Sequence, residues 1–246
     1  MASADGSAGL HPHEAQVTRI VAIRHGETDS NAELRMQGQL DTALSRRGRW
    51  QASRVGEALA DAGIEAIFAS DLARARDTAA AIAERTGLEV VTDRGLRERG
   101  FGVFEGFTYA DIELRWPAEA SRWRRHDPDF GPEGGETLRA FSDRAVAACT
   151  RIAASQAGRS IAIVTHGGVL DCLYRAASGI GLAAPRSWQL GNATVNRLLY
   201  TARGFSLVGW SDSQHLDGES PLDDAGEGGA AATRVPGGAG AAGPRP

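Results

Sequence analysis

Lysine is absent from this chain of 246 residues, and so are long apolar runs. All 27 basic residues are therefore arginines, so a single arginine in a motif says less here than in an average protein. The apolar runs extend over a few residues, far below the ~20 of a membrane-spanning helix, and we expect no membrane association. The net charge of −4 argues against a nucleic-acid partner.

Cysteine is also scarce. The two cysteines, Cys149 and Cys172, both lie in segments with helical periodicity. This placement favours reduced core residues over a disulfide pair. Residues 2–16 contain neither a basic stretch nor an apolar stretch, so they do not resemble a signal peptide. Together these observations predict a cytoplasmic protein.

The composition changes near both ends of the chain. Residues 1–17 are small and polar, which predicts a flexible lead-in. Residues 216–246 consist mostly of Gly, Ala, Pro and acidic residues and contain no aromatic residue. Such a segment cannot bury enough apolar surface to offset its loss of entropy on folding, so we expect a disordered tail. The folded unit is predicted as one domain over residues 18–215.

Within this domain, short apolar runs alternate with segments of helical periodicity. This alternation predicts an α/β fold, specifically a three-layer αβα sandwich with a mainly parallel central sheet. The expected strands cover residues 19–23, 66–69, 89–92, 160–165, 195–200 and 205–210. The expected helices cover residues 46–62, 72–86, 137–156 and 169–177.

Three of the predicted strands lead into residues whose side chains can bind ligands or take part in catalysis. The first runs into Arg24-His25-Gly26, the second into Ser70–Arg74, and the strand over residues 160–165 into His166-Gly167-Gly168. Each piece alone has an ordinary explanation, such as a packed histidine or a glycine turn. Ligands of open α/β sheets bind beyond the carboxyl ends of the strands, where these pieces would meet. Arginine, histidine and a helix start converging on one pocket predict an anion site.

The full series of motifs resembles the histidine phosphatase superfamily, which includes the phosphoglycerate mutases. The resemblance covers almost the whole domain, from about residue 19 to residue 197. It rests on an ordered set of segments, namely Arg24-His25-Gly26-Glu27-Thr28 with Asn31, Arg35-Met36-Gln37-Gly38, Asp41 to Leu44, Ser70-Asp71-Leu72-Ala73-Arg74-Ala75 with Thr78, Leu96-Arg97-Glu98, Phe104-Glu105-Gly106, Gly134-Gly135-Glu136 and Thr165-His166-Gly167-Gly168.

The resemblance implies a phosphoglycerate mutase-like fold and a phosphoryl group carried on His25. Attack requires a neutral imidazole, and neighbouring guanidinium groups disfavour its charged form. Glu98 occupies the family's usual position for the acid that protonates the leaving oxygen. On the residues alone, Glu98 would instead be a surface carboxylate paired with Arg97 or Arg99. The implied catalytic residues are His25, Glu98, His166, Arg24 and Arg74, and the implied substrate-binding residues are Arg24, Asn31, Gln37, Gly38, Arg74, Glu98, His166 and Gly167.

We expect neither a metal nor another cofactor. His11 and His13 lie in the lead-in, His126 in a loop and His215 at the end of the domain, and no cysteine or acidic cluster has the spacing of metal ligands. A phosphate-binding Walker loop and a G-x-S-x-G motif are both missing.

Residues 107–133 are the segment expected to lie over the pocket. One interpretation is a lid that binds the rest of the substrate, and the other is an amphipathic helix with tryptophan in the core and arginine in solvent. Glycolytic mutases of the family usually carry a longer insertion here, so its absence favours the broad-specificity phosphatase branch.

Three functional hypotheses follow. The first is a metal-independent phosphatase acting on a small phosphorylated metabolite, as a monomer or homodimer. The second is a phosphotransferase of the phosphoglycerate mutase type. The third is a catalytically silent phosphate-binding module.

Overall fold

The computed structural model of the protein describes residues 17–218. The predictions of a flexible lead-in and a disordered tail therefore fall outside the described residues, apart from residue 17 and residues 216–218.

A six-stranded sheet forms the centre of the fold. The strands are Thr18–Arg24 (β1), Ala66–Ala69 (β2), Val90–Thr92 (β3), Ser160–Thr165 (β4), Val195–Thr201 (β5) and Gly204–Asp212 (β6). Their order in the sheet is β3-β2-β4-β1-β5-β6. Strands β3, β2, β4 and β1 are mutually parallel, and β5 pairs antiparallel with both β1 and β6. One strand in six thus opposes the others, which confirms the prediction of a mainly parallel sheet.

Helices cover both faces of this sheet. They are Asp29–Ala32 (α1), Arg46–Leu59 (α2), Ala73–Thr86 (α3), Tyr109–Arg115 (α4), Pro117–Arg124 (α5), Leu138–Ser155 (α6) and Gly167–Ser178 (α7). In β4, Ile161 and Ile163 pack into one apolar cluster with helices α6 and α7, whereas Ala162 and Val164 pack into a second cluster with α2 and α3. Because successive strand residues point to opposite faces, these two clusters form the two sides of a three-layer sandwich, as predicted.

Local sequence signals explain the ends of the helices on one face. The hydroxyl of Ser45 accepts a hydrogen bond from the N–H of Gly48 at 3.0 Å and so caps α2. Helix α3 stops at Gly87, which adopts the left-handed conformation with φ of 71°. Helix α2 ends at Leu59, three residues before the end of the expected helix, and Ala62 is exposed beyond it.

Residues 107–133 form the two short helices α4 and α5 and the turn that follows them. They pack around a third apolar cluster that contains Phe104, Ile112 and Phe130, with Trp116 and Trp123 against it. The two tryptophans are half-buried against this cluster, and two short helices stand where the amphipathic interpretation predicted one.

Candidate active site

The register of the sheet brings the three strand-end motifs to one edge. Arg24 at the end of β1 lies opposite Thr165 at the end of β4, and Ala69 of β2 lies opposite Val164. The residues that follow these strands surround a cavity of about 590 Å³. Its walls contain eight of the predicted site residues, namely Arg24, His25, Asn31, Gln37, Gly38, Arg74, Glu98 and Gly167.

His25 is held as a neutral imidazole at the base of this cavity. Its side chain is almost buried, with 3% of the residue exposed. Nδ1 lies 2.7 Å from the carbonyl oxygen of Gly26, and because a carbonyl only accepts, Nδ1 carries the ring hydrogen. Burial, followed by the charges of Arg24 and Arg74, lowers the pKa of His25 well below its ordinary value. The remaining nitrogen, Nε2, therefore keeps a free lone pair at neutral pH.

Arg74 is a buried cation fixed by backbone carbonyls. Its Nη1 donates to the carbonyl oxygen of Leu40 and its Nη2 to that of Gly38, both at 2.7 Å. Its Nε is buried and has no partner within residues 17–218. Burial lowers the pKa of Arg74 to about 10, so the guanidinium stays charged at neutral pH. An unpaired buried donor on a fixed cation suits an incoming anion.

Arg24 is a second cation held by a backbone carbonyl, with one unpartnered donor. Its Nη1 donates to the carbonyl oxygen of Leu190, and its Nε is likewise buried without a partner in the described part of the chain. Burial lowers the pKa of Arg24, whereas the charge of Glu98 raises it. The cavity thus has two guanidinium groups beside the imidazole of His25.

His166 lies behind the wall of the cavity and does not line it. It is fully buried, and its ring centroid is 5.1 Å from that of His25. Nε2 lies 2.8 Å from the hydroxyl of Ser70, and Nδ1 has no partner among the described residues. Burial and the charge of Arg74 lower the pKa of His166 well below its ordinary value. A second neutral imidazole therefore lies next to the first.

Glu98 is oriented by backbone N–H groups. Oε1 accepts from the N–H of Arg99 at 2.8 Å, and Oε2 accepts from the N–H of Gly168 at 3.0 Å. The alternative of a surface ion pair with Arg97 or Arg99 does not describe what is observed. The guanidinium of Arg97 binds both oxygens of Asp71, at 2.6 and 2.7 Å, and that of Arg99 donates to backbone carbonyls. Glu98 is thus directed towards the cavity.

Asn31 and Gln37 belong to a polar network beside the arginines. Oδ1 of Asn31 accepts from the N–H of Thr28 and from Nδ2 of Asn192, both at 3.2 Å. The side-chain nitrogen Nδ2 of Asn31 remains as a donor in the cavity wall. Oε1 of Gln37 accepts from the hydroxyls of Thr28 at 2.9 Å and Thr42 at 2.6 Å. The carbonyl end of Gln37 therefore supports the network rather than facing a ligand.

The segment between α7 and β5 supplies part of the wall that the sequence motifs did not predict. Arg186 and residues 188–191 line the cavity. The indole of Trp188 stacks on the ring of Tyr174 with centroids 4.0 Å apart, and the indole N–H of Trp210 donates to the carbonyl oxygen of Gln189 at 3.0 Å. This segment has neither helical nor strand periodicity, so Trp188, a large aromatic residue within a polar connection, was the one sequence signal that it contributes to the site.

A second cavity, of about 570 Å³, adjoins the first. The two cavities share Met36, Glu98, Phe101, Gly168 and Arg186. Further walls of the second cavity come from the segment of residues 107–133, through Trp123 and His126 among others. The segment thus forms a local core and also contributes to a cavity at the site, and the lid interpretation stays a prediction.

Residues 17–218 contain neither a membrane-spanning helix nor a cluster of metal ligands. No helix there is both long and apolar enough to cross a membrane. No group of three or more His, Cys, Asp or Glu side chains there is placed to hold a metal ion.

Comparison with known proteins gives consistent matches. The family model of the histidine phosphatase superfamily (branch 1) matches residues 20–213. Phosphoglycerate mutase-like protein 4 of Arabidopsis thaliana is 39% identical over 209 residues, which are 83% of this chain and 89% of that protein. Glucosyl-3-phosphoglycerate phosphatase of Mycobacterium tuberculosis is 38% identical over 189 residues, covering 73% of this chain and 84% of that protein. The structure of Bacillus stearothermophilus YhfR superposes with a TM-score of 0.76 at 30% identity, over 81% of this chain and 100% of that one.

Proposed function

Because this chain is an enzyme that belongs to the histidine phosphatase superfamily, we propose that it hydrolyses small-metabolite phosphomonoesters through a phosphohistidine on His25, without a metal. The observation that carries this proposal is the state of His25. Its Nδ1 hydrogen is donated to the carbonyl of Gly26, its imidazole is neutral, and it lies beside the guanidinium groups of Arg24 and Arg74. A free Nε2 lone pair next to two cations is what nucleophilic attack on a phosphate ester requires.

In the first step, Nε2 of His25 attacks phosphorus and forms the P–N bond while the P–O ester bond breaks. The unpartnered Nε–H groups of Arg24 and Arg74 are available to stabilise the charge on the phosphoryl oxygens. The leaving oxygen takes a proton from the carboxyl group of Glu98, which its two backbone hydrogen bonds hold in place. The alcohol then departs and leaves the phosphoryl group on His25.

In the second step, Glu98 takes a proton from a water molecule, whose oxygen attacks phosphorus. The P–N bond breaks, inorganic phosphate leaves, and His25 returns to its neutral form. We assign to His166 a positioning role behind the nucleophile, because its buried imidazole packs beside that of His25 with the ring centroids 5.1 Å apart. The hydroxyl of Ser70 accepts the N–H of Leu72, so its own hydrogen is free for Nε2 of His166 and the ring hydrogen can reside on Nδ1.

The substrate belongs to the same proposal. One relative is named glucosyl-3-phosphoglycerate phosphatase and another phosphoglycerate mutase-like protein 4, so phosphorylated hydroxy acids and their glycosides are the first esters to test. The mutase-type transfer is the second candidate, favoured by the latter name. It differs in returning the phosphoryl group to the substrate, whereas hydrolysis releases it.

The test is phosphate release from a panel of phosphomonoesters, together with labelling of the protein by a ³²P-ester, and the label should be base-stable and acid-labile, as a P–N bond requires. His25→Asn should abolish both release and label. The matched control His215→Asn removes a histidine that lies outside both cavities, and it should retain both signals. Base-stable label on the wild type without phosphate release, accompanied by conversion of 3-phosphoglycerate to its 2-isomer, would select the mutase. Release that survives His25→Asn would refute the phosphohistidine mechanism.

A further inference from the structure

The position of Glu98 assigns the second cavity to the alcohol part of the substrate, given the proposed function. Glu98 lies in the wall that the two cavities share, and the arginines that would hold the phosphate line the first cavity. In the proposed mechanism, the leaving oxygen must lie within hydrogen-bond reach of Glu98. The atoms attached to that oxygen therefore extend past Glu98, into the second cavity.

One cation without a partner lies at the junction of the cavities. Arg186 lines both of them, and its side chain is exposed. Within residues 17–218 it forms no salt bridge and no side-chain hydrogen bond. The other arginine of the second cavity, Arg99, already donates to the carbonyl oxygens of Glu136 and Phe130. Arg186 is therefore the cation that remains available to the alcohol.

The segment that carries Arg186 is fixed on both sides. Before it, the carbonyl oxygen of Gly181 accepts from the guanidinium of Arg175 at 2.6 Å. After it, Trp188 stacks on Tyr174 and lies under Arg175, whose Cζ is 4.9 Å from the indole centroid. A fixed segment holds the guanidinium near the junction without a further cost in chain entropy on binding.

The charges around the second cavity favour a singly charged group. Asp127 and Asp171 both line it, and each is already paired, with Arg122 and Arg175 respectively, at 2.8 Å. With Glu98 also present, a doubly charged phosphate would meet three carboxyl groups and one free guanidinium. A carboxylate carries one charge and matches the planar fork of an arginine.

We propose that Arg186 binds a carboxylate on the alcohol part of the substrate and thereby selects phosphate esters of hydroxy acids over phosphate esters of uncharged alcohols. The matched pair for this proposal is 3-phosphoglycerate and glycerol 3-phosphate, which share a three-carbon skeleton and differ in a carboxylate against a hydroxymethyl group. The wild type prefers the first. In Arg186→Gln, kcat/KM for 3-phosphoglycerate should fall about tenfold, because one charged hydrogen bond in a partly solvated site is lost. The kcat/KM for glycerol 3-phosphate should change less than about twofold.

Arg203→Gln is the control, because it removes the same charge from an exposed arginine outside both cavities. It should leave both esters unaffected. A wild type without preference, or an equal loss for both esters in Arg186→Gln, would overturn the assignment of Arg186 while leaving the phosphatase intact.

Binding measurements keep this test independent of turnover. Calorimetry on His25→Asn, with and without Arg186→Gln, compares the affinities for the same two esters. A preference for 3-phosphoglycerate that disappears with Arg186→Gln supports the proposal even if the chemical step is not the one we propose. An unchanged preference contradicts it. Phosphate release that does not depend on His25 would contradict the proposed function instead.

Discussion

Replacing Gly168 by alanine should displace Glu98, the proposed proton donor, from its position. The N–H of Gly168 holds Oε2 of Glu98 at 3.0 Å. A Cβ added to Gly168 would lie 2.2 Å from Oε1 of Glu98 and 3.0 Å from Cζ of Phe141, whereas ordinary contacts begin at 3.4 Å. Phe141 is buried in the core and cannot yield easily. The carboxyl group must therefore retreat by about 1 Å, a displacement that can cost about 100-fold in rate.

The size of the loss should depend on the leaving group. An alkyl phosphate needs a proton on its departing oxygen, so its kcat/KM should fall about 100-fold in Gly168→Ala. A p-nitrophenyl ester departs as a stable anion, and its kcat/KM should fall less than about tenfold. Steady-state phosphate release from both esters measures the ratio, and Glu98→Gln should reproduce it.

Gly181→Ala is the matched control, since an added Cβ there meets no atom within 4 Å. It should leave both rates unchanged, and thermal unfolding shows whether each variant is folded. Equal losses for the two esters in a folded Gly168→Ala protein would refute the reasoning, because they would mean that the methyl group disturbs phosphate binding rather than proton transfer.

Three further predictions concern the stability and the phosphate site. The pKa values of His25 and His166 are lowered in the folded state, so below about pH 6.5 the unfolded chain binds more protons than the folded one. The free energy of unfolding should therefore fall as the pH drops, by up to about 1.4 kcal/mol per pH unit for each histidine. Urea titrations at several pH values measure this fall, which should be less steep in His166→Asn. Arg74→Lys keeps the charge but loses the fork that binds two carbonyls, so kcat/KM should fall at least about tenfold, and unchanged kinetics would contradict its role. Leu34 is 80% exposed with a φ of 57°, so Leu34→Gly should raise the free energy of unfolding by about 1 kcal/mol, and a lower melting temperature would contradict this.

The sheet and its strand-end motifs were predictable because their signals are local. Apolar runs such as residues 160–165 end in His-Gly, and the parallel arrangement dictates that their carboxyl ends meet. The resemblance to the histidine phosphatase superfamily rested on the same motifs and is confirmed by the match over residues 20–213. Eight of the predicted site residues line one cavity, although their chemical roles remain predictions.

Other parts of the site depend on packing that no local pattern encodes. The wall formed by Arg186 and Trp188 is fixed by Tyr174 and Trp210, residues of a helix and a strand that lie apart in the sequence. The place of His166 behind the wall could not be foreseen either, because a strand end specifies which edge a residue reaches but not its depth. Both features follow from tertiary contacts rather than from periodicity.

The hydrogen bond from Arg24 to the carbonyl of Leu190 makes one cation serve two purposes. It belongs to the proposed phosphate site, and it also ties the connection between α7 and β5 to the end of β1. Ligand affinity and the order of that connection are therefore thermodynamically linked, and the linkage is reciprocal. An anion on Arg24 changes how firmly the connection is held, and loosening the stack at Trp188 changes the affinity for the anion without touching it. Hydrogen exchange at the amides of residues 188–191 reports this coupling directly.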